Sequence, residues 1–342
     1  MSVAAQFYIT TIAIIACVNF IAVWGLDLQY GVAGIYNFAY IVPQAAGAYA
    51  AGVFALHPAS YYQAGETYVG GFNLGFPLPL IAATVAGGLI SFVLGLVAMR
   101  RLRGDYQAMA MLVCALIASA FVAAQPHFLN GNTGLSFIPK PLQAQFGASL
   151  VGYQWWYLGL CGGFVALSFL VARNITSSPF GRMLRATRDS ESAAEALGRN
   201  TERARMIAMV VGGCFAGLSG GLLIQFIGAW APASWLYPET FLFFTAIIIG
   251  GTGNLFGCFI GVLLIPIGIV EATRYLPQIG YPGLTDVLDW VVIGLVMLLF
   301  LWIRPKGLAP ERRRKWPLPA TASTEAHREL PTTAGAEKAE VA

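Results

Sequence analysis

The chain reads as an all-α, polytopic transmembrane bundle of about eight to ten spans, some of them broken helices. Three observations predict this. Of 342 residues, 57% are hydrophobic and only 11% are charged, against about 25% charged in a soluble domain. The apolar residues gather in windows about 20 long, enough for a helix to cross about 30 Å of hydrocarbon. Alternating segments of about ten residues, the mark of an outer-membrane barrel, are absent. The 39 glycines suit close helix packing in lipid.

The windows follow in order. Residues 5–24 are apolar and lack a basic leading region and a cleavage site, so they read as a retained first span rather than a signal peptide. Window 31–56 is long and carries Pro43, so it reads as a broken helix or two short ones. Windows 78–99 and 106–124 flank Arg100, Arg101 and Arg103, and windows 155–172 and 206–228 flank a charged stretch. Window 239–252 is short for a full crossing and ends in Gly250-Gly-Thr-Gly-Asn254. Such a break is tolerated only where protein or a water-filled cavity satisfies the backbone. Gly250, Gly251, Gly253 and Asn254 are therefore candidates to line a translocation path. Windows 255–272 and 286–303 complete a set of nine. Nine spans place the N-terminus outside and ten place it inside; residues 1–7 hold no Lys or Arg to decide.

Charge placement orients the bundle. Eighteen of the 20 Lys and Arg lie at 100–103, 173–205 and 304–338, which the positive-inside rule assigns to the cytoplasm. These residues track span ends without interleaved aromatics, which speaks against nucleic-acid binding. The external connections are 57–77, 125–154, 229–238 and 273–285, and their Trp155, Trp156, Trp230, Trp235 and Tyr237 read as an interfacial belt. Gly213, Gly217 and Gly221, and again Gly253, Gly257 and Gly261, recur every four residues and form smooth helix-packing stripes. The membrane domain spans 1–310 and includes the cytoplasmic segment 174–205; residues 311–342 lose all periodicity and read as a disordered cytoplasmic tail. Within that tail, Arg312-Arg-Arg-Lys315 anchors the last helix to anionic lipid.

Little in the chain carries covalent chemistry. The five cysteines all sit in apolar runs without a CxxC pair and read as small buried hydrophobes. His57, His127 and His327 are far apart and none is mid-span, so no metal site is expected. No HExxH, GxSxG or Walker A pattern occurs, so the chain is not expected to be an enzyme, and uphill work must draw on a partner or an ion gradient. Of the acids near the spans, Asp27 is the best candidate for a functional carboxylate. Glu239, Glu271, Asp286 and Asp289 lie near span ends and read as ion-pair or helix-end residues. A proton-coupled carrier would bury several carboxylates mid-span, so a stand-alone secondary carrier is the lesser reading and the membrane half of an ATP-driven transporter the greater.

The charged stretch from Phe180 to Arg205 is too charged to cross a bilayer and too rich in Ala, Leu, Glu and Arg for a floppy linker. It reads as a helical element presented to a soluble partner. Together with ordered motifs over about 20–310, it resembles the permease subunits of bacterial branched-chain amino acid ABC importers, of the LivM subtype. The motifs are Leu26-Asp-Leu-Gln-Tyr-Gly-Val-Ala-Gly34, Gly47-Ala-Tyr49, Arg101-Leu-Arg-Gly-Asp-Tyr106, Asn132-Thr-Gly134, Ser178-Pro-Phe-Gly-Arg182 with Leu184-Arg-Ala186, Ala193-Ala-Glu-Ala-Leu-Gly-Arg-Asn200, Ala216-Gly-Leu-Ser-Gly220, Gly250-Gly-Thr-Gly253 and Arg304-Pro-Lys-Gly307. The resemblance implies a type II importer-like permease in the bacterial inner membrane. Its partners would be a sister permease, two cytoplasmic ABC ATPases that bind the ATP, and a periplasmic solute-binding protein; it would hold no cofactor of its own. It implies an ATPase-coupling set of Arg185, Ala193, Ala194, Glu195, Ala196, Gly198 and Asn200, in which Gly198 ends a short helix, small alanines seat in a cleft and Glu195 offers charge. Two departures stand out. Asp27 replaces a frequent Asn, and Asn37-Phe-Ala-Tyr40 replaces a frequent Ser-x-Gly-His. Asp27, Asn37 and Tyr40 are thus added to the translocation-path candidates, and the solute is a branched-chain amino acid or, alternatively, urea, a short amide or an aromatic acid.

Overall fold

The computed structural model describes residues 3–58, 68–98, 104–146, 150–274, 284–304 and 306–311. Among these the secondary structure is helical, apart from two isolated bridges. Helix α1 (Val3–Asp27) runs on through a wider π turn (Leu28–Val32); then come α2 (Ile41–Ala55), α3 (Leu78–Ala98), α4 (Gly104–Ala124), a short α5 (Pro126–Leu129) and α6 (Leu150–Ser177). Helices α7 (Pro179–Asp189) and α8 (Glu191–Ala196) follow, then α9 (Thr201–Ile227), α10 (Pro238–Gly250), α11 (Leu255–Val262), α12 (Val270–Arg274) and α13 (Leu284–Ile303). A second π segment, Leu263–Ile269, joins α11 to α12 around Pro266, which has no N–H to give to an α-helical ladder.

Seven of the described helical stretches are long and apolar enough to cross a membrane, and Ile41–Ala55 and Trp290–Ile303 are shorter apolar helices. These nine account for the nine windows, and the protein is a multi-pass membrane protein. Window 31–56 resolves into the end of α1, an irregular turn at 33–40 and the half-length α2; Pro43 sits in the first turn of α2 and breaks nothing. The chain divides into two units, Met1–Glu311 and Arg312–Ala342. The expected disordered tail and its anchoring run Arg312–Lys315 lie outside the described residues. The first unit extends one residue past the expected 310 because Glu311 is ion-paired to α7.

Glycine sets the packing of the centre. A Cβ added at Gly217 of α9 would strike the Ala83 carbonyl and Gly87 of α3, and one added at Gly47 of α2 would strike Gly217 itself. Gly213 lies against Ser91 and Gly221 against Ala83. Thus α2, α3 and α9 meet backbone to backbone, as small residues permit in lipid. Gly257 and Gly261 do the same for α11 against the carbonyls of Gly250 and Ala246 in α10. Gly253 departs from the expected stripe: α11 starts only at Leu255, with Asn254 as its N-cap, so Gly253 is in the preceding turn at φ +74°.

The expected aromatic belt holds only in part. Trp155 and Tyr237 are exposed, but Trp230 and Trp235 are buried. The connection carrying them dips into the bundle: Trp230 pairs both its backbone groups with Leu135 (2.8 Å each), and Trp235 Nε1 donates to Tyr49 Oη (3.2 Å). Gly134, from the Asn-Thr-Gly motif, packs on the Trp230 carbonyl at φ +72°, where a side chain would clash.

Candidate functional site

Two polar regions interrupt the apolar bundle. The first is at its basic end. Ser178 caps α7, accepting from the Gly181 N–H at 3.2 Å, with Pro179 at the first helical position. Ser190 closes α7 and caps α8, so the charged stretch forms two short helices instead of one. Gly198 adopts φ +74° just past α8, and Asn200 caps α9 through Oδ1 and the Arg203 N–H at 2.9 Å. Ala193, Glu195 and Ala196 are exposed on α8, whereas Ala194 is buried. Glu195 Oε1 also accepts from Thr201 Oγ1 at 2.9 Å.

Arg185 does not join the exposed set. Its Nε lies 2.5 Å from Glu311 Oε1 and its Nη1 donates to the Thr176 carbonyl at 3.0 Å. Arg188, one turn on, donates Nη2 to Glu311 Oε2 at 3.0 Å and Nη1 to the Gly31 carbonyl. Burial alone would lower the Arg188 pKa, but its bond to Glu311 and the charges of Glu311 and Asp189 raise it above the ordinary value. The guanidinium is therefore a fixed cation tying α7 to the end of α1.

The broken run 250–254 is held at this same junction. Leu308 and Ala309 N–H groups donate to the carbonyls of Ile249 and Gly250 (2.8 and 2.9 Å), which the end of α10 leaves open. Asn254 Nδ2 donates to the Ala309 carbonyl at 3.0 Å. Asp27, fully buried, accepts the Gly253 N–H on Oδ1 at 2.8 Å and lies beside the Cys258 thiol. Protein groups thus satisfy this break. Asp27, Gly250, Gly251, Gly253 and Asn254 come together, but as a packed joint.

Asn37 and Tyr40 also serve packing. Asn37 Nδ2 donates to Gln29 Oε1 (2.8 Å), whose Nε2 donates to the Met209 carbonyl (2.8 Å). Tyr40 Oη donates to the Ala22 carbonyl at 2.7 Å. None of the seven translocation-path candidates lines either of two spaces among the described residues, one almost entirely apolar beside α2, α3 and α4, the other carrying several polar side chains and bounded by α1, α2, α9, α10 and α13.

The second polar region is the latter cavity, about 440 Å³ in volume. Asn19, Gln44, Trp230, Ser234 and Glu239 reach it amid an otherwise apolar lining. Helices α2 and α10 both begin beside it: the Ile41 N–H donates to Thr240 Oγ1 at 3.2 Å, joining their first turns inside the bundle. Sequence reasoning placed Glu239 as a helix-end residue and Trp230 in the belt, and did not single out Gln44. The available signal was that Asn19 and Gln44 are amides within long apolar windows. Among the described residues no group of His, Cys, Asp and Glu could hold a metal ion.

Comparison with known proteins bears on both regions. A sequence model of a family described as "Branched-chain amino acid transport system / permease component" matches residues 8–301. The chain is 28% identical to the probable branched-chain amino acid transport permease protein LivM of Methanocaldococcus jannaschii, over 84% of this chain and 89% of the relative. It is 26% identical to the high-affinity branched-chain amino acid transport system permease protein LivM of Escherichia coli K12, over 88% of this chain and 70% of the relative. The LivH permease protein of the same organism is also 26% identical, over 83% and 88%. No solved structure gives a significant match.

Proposed function

Since the chain belongs to the branched-chain amino acid transport permease family, we propose that it is the membrane-spanning subunit of an ATP-driven importer moving branched-chain amino acids across a bacterial inner membrane. The chain carries no cofactor; a sister permease completes the pathway, two cytoplasmic ATPases bind and hydrolyse ATP, and a periplasmic binding protein delivers the solute. The observation that carries this reading is the α7–α8 pair. It exposes Ala193, Glu195 and Ala196 on one helix, while the other is clamped through Arg185 and Arg188 to Glu311 and to the end of α1. A push on α8 then reaches α1, α10 and α13 through directed bonds instead of a compliant loop.

Asp27, Asn37 and Tyr40, whose departures from the family pattern opened the choice of urea, amides or aromatic acids, are occupied in packing bonds. They supply no reason to move the solute away from branched-chain amino acids. The test is co-expression with the neighbouring genes, reconstitution, and ATPase measurement with solute-loaded binding protein. Stimulation by leucine or valine is expected. Stimulation only by urea, amides or aromatic acids keeps the mechanism and changes the solute. Uptake that survives ATP depletion and collapses with a proton or sodium uncoupler identifies a secondary carrier instead.

A further inference from the structure

We infer that the cavity between α1, α2, α9, α10 and α13 is a binding site for a zwitterionic aliphatic amino acid, with Glu239 facing its ammonium group and Trp230 facing its carboxylate. This rests on the permease reading above and deepens it.

Two buried polar atoms of this cavity lack partners. Gln44 and Trp230 are only 3% and 4% exposed, and Gln44 Oε1 and Trp230 Nε1 are buried with no hydrogen bond among the described residues. A buried polar atom left so costs about 1–3 kcal/mol, which a ligand recovers by bonding it. The backbone under each is fixed: the Gln44 carbonyl seats against Gly220 of α9, where a Cβ would clash, and the Trp230 backbone is bridged to Leu135. Glu239 is the sole ionisable residue among the described lining, and no hydrogen-bonding or charged partner acts on its carboxyl among the described residues. A carboxylate facing an otherwise neutral, largely apolar wall asks for a cation.

The ligand's other end meets the Trp230 N–H, a buried donor without a partner among the described residues, and no cationic side chain is needed for a single carboxylate. The first turn of α2 adds no donor, since the Ile41 N–H is given to Thr240 Oγ1, the Val42 N–H to the Ala39 carbonyl, and Pro43 has none. The remaining wall, with Leu223, Ile227, Leu242 and Ile293, takes an aliphatic side chain. The volume of about 440 Å³ falls within the usual range for small-ligand pockets. With one anion and no cation in the wall, dicarboxylates are excluded.

The test uses the assembled transporter, purified without its binding protein, and equilibrium binding of radiolabelled leucine. Two half-ligands compete: 3-methylbutylamine, which lacks the carboxylate, and 4-methylpentanoate, which lacks the ammonium. Saturable leucine binding is expected, displaced by the amine at about a tenfold lower concentration than by the acid, since the ammonium meets an opposite charge at Glu239 whereas the carboxylate meets only a neutral donor. Glu239→Gln should weaken leucine about tenfold and abolish the preference for the amine. Trp230→Phe should weaken leucine and the acid but leave the amine unaffected. Copurification with the ATPase subunits reads folding independently, and the two variants touch separate elements. Absence of saturable binding to the wild type, equal competition by the half-ligands, or leucine binding unmoved by both substitutions overturns the site while the permease reading stands. ATPase subunits that never copurify, or uptake that outlasts ATP, overturns the permease reading itself.

Discussion

The two polar regions of this bundle are built from similar residues and differ in completeness. At the basic end, Glu311 joins Arg185 to Arg188, Asp27 Oδ1 takes the Gly253 N–H, and the Leu308 and Ala309 N–H groups take the Ile249 and Gly250 carbonyls, so that only the second oxygen of Asp27 is left open among these groups. In the cavity, Gln44 Oε1 and Trp230 Nε1 are buried and, like the Glu239 carboxylate, find no partner among the described residues. In low dielectric a completed network is rigid, whereas an incomplete one is costly until something completes it. The first region is therefore suited to transmit a displacement, and the second to receive a molecule.

That contrast can be broken most violently at the glycine seam supporting both regions. Gly217→Leu forces a branched side chain between α9, α3 and α2, costing about 3 kcal/mol or more. Membrane accumulation, measured by in-gel fluorescence of a tagged chain, should fall severalfold; wild-type accumulation would place this stripe against lipid. Arg188→Ala comes next. It strips the Gly31 carbonyl and one Glu311 oxygen of their shared donor, at about 2 kcal/mol given partial exposure. Melting should shift downward and ATP-driven uptake should drop further than the amount of folded protein, with Arg188→Lys only partly restoring it because an ammonium cannot span both acceptors. Uptake falling only in proportion to folded protein would deny the joint a transmitting role.

Two smaller effects sharpen the comparison. Asp27→Asn keeps an oxygen for the Gly253 N–H and should change stability by about 1 kcal/mol or less, leaving solute preference as in the wild type. A changed preference in competition uptake would return Asp27 to the pathway. Glu195→Arg, on the exposed face of α8, should alter stability by less than about 0.5 kcal/mol while cutting ATPase copurification at least about twofold, the loss of an interfacial charge. Undiminished copurification would remove α8 from the docking surface.

The sequence by itself determined the fold class, the nine apolar helices, the break at 250–254 and the charged helical segment between α6 and α9. Each follows from local quantities: hydrophobic length, glycine, proline and charge density. Ser178, Ser190 and Asn200, not singled out as caps from the sequence, are local as well, each acting on an N–H group three residues away. What the tertiary structure decided is which side of each helix meets what. Asp27 reads in sequence as a lone buried acid, and only the return of the chain at Gly253 and Arg188 makes it part of a joint. Trp230 and Trp235 read as belt residues until the connection between α9 and α10 is seen to dip inward. Glu239 reads as a helix end until α1, α2, α9 and α13 enclose it, and Glu311 reads as tail until α7 claims it. These roles arise from contacts between residues tens to hundreds of positions apart, and neither periodicity nor composition encodes such distances.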